Sequence, residues 1–201
     1  MPGARDPVNG SLRFRVVVAA ASAGGLSALA TVLHGLPSDF GLPIAIVQHI
    51  DPTHASRVAD ILARRTVLHV KEAESGDILM PAGVYVAPPD AHMLVVAGGG
   101  IRLSHEEPVR YLRPAADRLF MSAADAFGPA IAVILTGTGA DGADGAAAVK
   151  AGGGLVIAQD ETTSQFFGMP HAAIERGFVD VVLPLTAIAG ALVQLAGSRP
   201  A

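Results

Sequence analysis

Apolar runs of strand length, each ending in small or polar residues and each followed by an amphipathic stretch, recur along the chain and constrain its fold more than any other feature. Segments 14–21, 43–48, 130–136, 155–159 and 179–183 read as buried strands. Segments 25–35, 55–64, 114–127, 142–151, 170–176 and 185–197 read as helices between them. This is the rhythm of β-α-β units, so the expected fold is α/β: a three-layer, doubly wound, mostly parallel sheet with helices on both faces. The middle departs from it. Runs 84–87, 93–96 and 101–103 are short and are separated by Pro88-Pro89-Asp90 and Gly98-Gly99-Gly100, which predicts a small antiparallel insertion.

With 201 residues, 51% apolar and 16% charged, the chain can bury a sizeable core as one domain. Residues 1–13 are expected to form a flexible N-terminal segment and 14–198 the folded domain. The absence of cysteine rules out disulfides, thiol catalysis and Cys-rich metal sites. No apolar run reaches the ~18 residues of a membrane span, and the first residues lack a signal-like apolar core. A cytoplasmic protein without membrane insertion is expected. A net charge of −4 with only Lys71 and Lys150 as lysines leaves no basic stripe for phosphates, and with no Trp and two Tyr there is no stacking platform. Nucleic acid is therefore not an expected partner.

In open parallel sheets, ligands bind beyond the carboxyl ends of the strands. The first predicted strand runs into Ser22-Ala23-Gly24-Gly25, the second into Gln48-His49, and the strand 130–136 into Gly137-Thr138-Gly139-Ala140-Asp141-Gly142. A serine hydroxyl becomes a nucleophile when a base takes its proton, and a carboxylate orients and stabilises the imidazolium that results. Ser22, His49 and Asp141 are these three residue types. Small residues around Ser22 let the chain bend sharply, and a strand-to-helix turn presents backbone N–H groups to a developing oxyanion.

On spacing alone, each residue also has an ordinary reading. Ser22 fits a helix N-cap or a phosphate ligand, His49 a hydrogen-bonded strand-end histidine, and Asp141 a turn or cap residue. A nucleotide-binding α/β module is an alternative, although neither G-x-G-x-x-G nor the P-loop pattern is present. A non-enzymatic binding module that keeps the fold is another. A metal site is not expected. Asp141 and Asp144 resemble one copy of a calcium-binding repeat that needs several, and His49 and His54 are not spaced as a zinc pair.

Several blocks occurring in order carry a resemblance over nearly the whole chain. They include Ala21-Ser22-Ala23-Gly24-Gly25, Gln48-His49, Tyr85-Val86-Ala87-Pro88, His92-Met93, Arg113-Pro114 with Asp117 and Phe120, Leu135-Thr136-Gly137 through Asp141-Gly142, and Ala158-Gln159 with Phe167-Gly168-Met169-Pro170. In these the chain resembles the catalytic domain of CheB-type protein-glutamate methylesterases. The resemblance implies a serine hydrolase with Ser22 as nucleophile, His49 as general base and then acid, and Asp141 as the orienting carboxylate. It implies a backbone amide from the loop around Thr138 in the oxyanion hole, and oxyanion or substrate contacts are expected at Ala23, Thr138, Gly139 and Arg113. Arg113 and Arg57 are the side chains suited to guide an acidic receptor helix, since Arg can fork onto carboxylates; surface salt bridges are their ordinary reading. The implied reaction demethylates γ-glutamyl methyl esters on the cytoplasmic helices of methyl-accepting chemoreceptors, releases methanol through an acyl-enzyme, extends to glutamine deamidation, and needs no cofactor or metal.

The chain departs from the family pattern at three points. The residue after the nucleophile is Ala23 in place of a common Thr, and the oxyanion loop carries Thr138 in place of a common Met, so changed substrate preference is expected more than lost chemistry. Only a short segment precedes the first strand, so no receiver domain is expected in cis.

Overall fold

The structure, a computed structural model, describes residues 14–50 and 56–197. The expected flexible segment 1–13, His54 and the start of the helix expected over 55–64 lie outside the described residues. Seven strands form one parallel sheet: β1 (Val17–Ala21), β2 (Ile44–Gln48), β3 (His69–Glu72), β4 (Gly83–Val86), β7 (Ile131–Ile134), β8 (Leu155–Gln159) and β9 (Val181–Leu183). Their order is β3-β4-β2-β1-β7-β8-β9, and β5 (His92–Val96) pairs antiparallel with β6 (Gly100–Ser104) as a separate hairpin.

The period-2 alternation of strand side chains supplies both faces with core. Val17, Ala19 and Ala21 of β1 enter one apolar cluster, with α1 (Gly25–His34), α2 (Val58–Ala63) and α6 (Leu185–Leu195). Val18 and Ala20 enter the other, with α3 (Ala116–Phe127), α4 (Ala143–Ala151), α5 (Gly168–Glu175) and the hairpin. In α3 the buried residues Ala116, Leu119, Phe120 and Ala123 follow the i, i+3, i+4, i+7 stripe of an amphipathic helix, which stops at Gly128 in the left-handed region at φ 73°. Fully burying a side chain such as Phe120 contributes about 1.5–3 kcal/mol. The three-layer architecture is as expected.

Two strands differ from the sequence reading. Gly83–Val86 is not part of the antiparallel insertion: it is an inner parallel strand between β2 and β3, and its four residues are all buried, as a continuous apolar run in a doubly covered sheet should be. Strand β3 was not anticipated, because its His-Val-Lys-Glu string has no apolar run; it is an edge strand with only Val70 partly buried. At the opposite edge, Val181 and Val182 are exposed rather than buried as expected.

Strand order reverses direction between β1 and β7: the chain leaves β1 for β2 on one side, and β7 leads to β8 on the other. A crevice at the carboxyl end of such a switch point is where open α/β sheets bind ligands.

Candidate active site

Ser22, His49 and Asp141 follow β1, β2 and β7, which are neighbours in the sheet. Adjacent strands lie about 4.8 Å apart, so the three chain segments converge on one short stretch of sheet edge. Ala21 pairs in register with Gln48, and Ser22 and His49 are each one residue further on.

The backbone of Ser22 is fixed from three sides. Its N–H donates to the Thr136 carbonyl (3.0 Å), and its carbonyl accepts from Gly25 N–H (2.8 Å) and from Gln48 Nε2 (2.9 Å). Ser22 does not cap α1; that position belongs to Gly24 in the left-handed region at φ 76°. The side chain is partly buried, and its hydroxyl makes no hydrogen bond among the described residues. Gly137, in the loop after β7, lies close against it: a Cβ there would lie 2.7 Å from Ser22 Cβ and 2.3 Å from Met169 Sδ.

His49 Nε2 lies 2.7 Å from Asp141 Oδ2. A carboxylate can only accept, so Nε2 carries the hydrogen and Nδ1 is left with a lone pair. Asp141 is buried and does not cap its own helix. Its Oδ2 accepts from Ala116 N–H (2.6 Å) and its Oδ1 from Asp117 N–H (3.0 Å), the first two residues of α3. Burial pushes the Asp141 carboxyl up, but the His49 ring and the two helix-start N–H groups outweigh it and hold the carboxyl below its ordinary value.

The loop after β7 supplies further groups. Thr138 and Gly139 are exposed, and their N–H groups, like that of Ala23, make no hydrogen bond among the described residues. The loop is anchored beside them: Gly137 N–H donates to the Phe166 carbonyl (2.8 Å), and Met169 N–H to the Gly137 carbonyl (2.9 Å). Unpaired backbone N–H groups on a fixed loop can stabilise negative charge that develops on a substrate oxygen.

Arg113 is tied into its own chain. Its guanidinium donates to Asp90 Oδ1 through Nε (3.0 Å) and Nη2 (2.6 Å), and to the carbonyls of His105 and Glu106 through Nη1 (3.1 Å each). Four of its five donors are engaged within the chain, which leaves it little capacity for a partner's carboxylate. Arg57 is exposed just before α2.

Other polar residues support the site and were not assigned roles from sequence. Gln48 Nε2 bridges the carbonyls of Ser22 and His49 (2.9 Å each), while its buried Oε1 has no partner. Gln159 accepts from Thr136 N–H (2.9 Å) and donates to the Thr163 carbonyl (2.8 Å). Thr136 Oγ1 donates to the Ala23 carbonyl (3.0 Å) and accepts from Phe166 N–H (2.9 Å). Asp117 Oδ1 accepts from Gly142 N–H (2.9 Å) and Gly145 N–H (2.7 Å). Two buried glutamines at strand ends were the available signal, since a buried amide has to find partners. Among the described residues no group of three or more His, Asp or Glu side chains is placed to hold a metal ion.

The model of the family described as CheB methylesterase matches residues 17–192. The chain belongs to the CheB methylesterase family. The crystal structure of the Thermotoga maritima CheB methylesterase catalytic domain is similar, with a TM-score of 0.87 and 40% identity over 90% of this chain and 98% of that one. Among curated CheB relatives, a protein-glutamate methylesterase/protein-glutamine glutaminase 2 of Anaeromyxobacter dehalogenans is 48% identical over 184 residues, 91% of this chain and 54% of the relative. The protein-glutamate methylesterase FrzG of Myxococcus xanthus is 43% identical over 182 residues, 90% and 54% respectively. The chain spans about half the length of the curated CheB relatives it matches. Among the described residues of this CheB chain no helix is long and apolar enough to cross a membrane.

Proposed function

We propose that the domain formed by residues 14–198 is a serine hydrolase that demethylates γ-glutamyl methyl esters on the cytoplasmic helices of chemoreceptors, acting in the cytoplasm. Ser22 Oγ attacks the ester carbonyl while its proton passes to His49 Nδ1, the nitrogen not held by Asp141. The tetrahedral oxyanion meets the N–H groups of Ala23 and of the Thr138–Gly139 loop. As the C–O bond to the methoxy group breaks, the His49 proton goes to the leaving oxygen and methanol departs, leaving an acyl-enzyme on Ser22. Water then repeats the cycle with His49 as base and releases the glutamate. A glutamine side chain would follow the same route with ammonia as leaving group. No cofactor is required.

The observation that carries this reading is the contact of His49 with a carboxylate held by two helix-start N–H groups, one strand away from Ser22. The relatives being protein-glutamate methylesterases supports the substrate class. The test is methanol release from a methylated chemoreceptor cytoplasmic fragment, comparing the wild type with Ser22→Ala. Release that vanishes in the variant is expected; release that persists would remove Ser22 as nucleophile.

A further inference from the structure

At the rim of the site the chain makes an unusual turn. Val109 and Leu112 exchange both backbone hydrogen bonds (3.1 and 2.9 Å), so Arg110 and Tyr111 form the two-residue tip of a minimal hairpin. Both tip residues are in the left-handed region, at φ 49° and 67°. Such a tip favours Asn and Gly, because a side chain with a Cβ is disfavoured there and a bulky one more so. Among the described residues, this is the only pair of adjacent non-glycine residues with positive φ. Tyr111 is also 100% exposed, whereas the only other tyrosine, Tyr85, is buried with its hydroxyl donating to the Ile78 carbonyl.

The tip is held in place. The Arg110 guanidinium pairs with Asp144 and reaches the Ala140 carbonyl (3.5 Å), in the loop that runs from Thr138 to Asp141. The same loop is also tied to Phe166, 42% exposed, whose backbone bonds Thr136 and Gly137. The residue next to Tyr111 and the backbone of Phe166 are thus both tied to the chain that carries the candidate oxyanion N–H groups.

We infer that Tyr111 is a docking anchor for the substrate protein, taking an apolar side chain on an amphipathic helix whose modified glutamate enters at Ser22. This rests on the functional reading above. A tyrosine has only two side-chain torsions to order, so on a backbone held by its own turn it offers a large contact area at little entropic cost, which is why tyrosines concentrate at interface hot spots. The left-handed backbone under a bulky side chain is a local cost that folding does not require, and functional rims are where such costs are retained. A small ester has no helix to place on the ring, so the anchor serves only the protein substrate.

The experiment compares the full chain with Tyr111→Ala, Tyr111→Phe and Tyr111→Asn on two substrates, a methylated chemoreceptor cytoplasmic fragment and the γ-methyl ester of a blocked glutamate. The expected result is a tenfold or greater loss of kcat/KM on the fragment for Tyr111→Ala and Tyr111→Asn. Tyr111→Phe should stay near wild type, and all three should be within twofold of wild type on the small ester. Tyr111→Asn should also unfold at a higher temperature, since Asn suits the left-handed region. Unchanged rates on the fragment, or equal losses on both substrates, would overturn the inference. Binding of the same fragment to Ser22→Ala, with and without Tyr111→Ala, is measured by calorimetry. Tyr111-dependent binding without methanol release from the wild type would sink the esterase reading alone; Tyr111-independent binding would sink the anchor alone.

Discussion

Asp141 caps the helix that carries Asp117, and Asp117 caps the helix that follows Asp141. The Asp141 carboxylate takes the first two N–H groups of α3, and the Asp117 carboxylate takes Gly142 and Gly145 N–H at the start of α4. Each anion sits at the positive end of the other's helix. The two helices are thereby locked together, with Asp141 aimed at His49. Burial and the neighbouring Asp141 charge raise the Asp117 carboxyl above its ordinary value, while Asp141 lies below its own.

Removing the Asp117 side chain strands two buried N–H groups, each costing about 1–3 kcal/mol when left unpaired. Asp117→Ala is expected to lose about 3 kcal/mol in urea unfolding. Asp117→Asn keeps an acceptor and should lose less than half as much. Equal losses would mean that the charge, not the acceptor, holds α4.

Three donors share the two oxygens of Asp141, and Asp141→Asn replaces one of those oxygens with a donor. The ring of His49 then loses its orienting anion. A fall in kcat of roughly 10³–10⁴ is expected on any ester. A fall below tenfold would remove Asp141 from the mechanism.

His92 is fully buried behind the same helix start; its Nδ1 accepts from Ala115 N–H (3.2 Å) and its Nε2 faces the Glu107 carbonyl (3.2 Å). Burial lowers its pKa below 6.5, the Glu107 carbonyl opposes this, and Arg118 and Arg113 add to it. The unfolded chain therefore takes up this proton first as pH falls. The contribution to stability is complete above 6.5 and declines as pH drops from there toward the lower folded value. His92→Gln can make both hydrogen bonds without titrating, so its unfolding midpoint between pH 7.5 and 5 should fall less than that of the wild type. Parallel curves would contradict this.

Gly137→Ala places a methyl group against Met169 Sδ and Ser22 Cβ. Overpacking of this kind costs about 1–3 kcal/mol, and here the displaced group is the proposed nucleophile. A loss of at least a hundredfold in kcat with the fold retained by circular dichroism is expected. Near-normal turnover would show that the Ser22 turn has more room than its contacts indicate.

The strands β1, β2 and β7 were legible because they are apolar runs ending in polar or small residues, and the three layers followed from the alternation of strands and helices. Strand β3 was not legible, since an exposed edge needs no apolar pattern. The pairing of β4 was misread because run length does not distinguish an inner parallel strand from a ribbon. Ser22, His49 and Asp141 could be named from strand ends and resemblance. Asp117, in contrast, looks like any acidic residue in a first helical turn. Its role comes from an exchange across the fold with a residue 24 positions away, which no local pattern encodes. The Arg110–Tyr111 tip carries none of the Asn-Gly signal that would have announced it, and the bonds of Arg113 to Asp90, His105 and Glu106 have no local signature either.

The in-register pairing of β1 with β2 places Ser22 and His49 each one residue beyond the last paired positions, Ala21 and Gln48. Because successive side chains point to opposite faces, shifting either strand by one residue would exchange the side chains packed into the two apolar clusters and present a different residue at the sheet edge. Deletion or insertion of one residue inside these five-residue strands would therefore harm the chemistry more than most substitutions. Length, more than composition, is what these two segments must conserve.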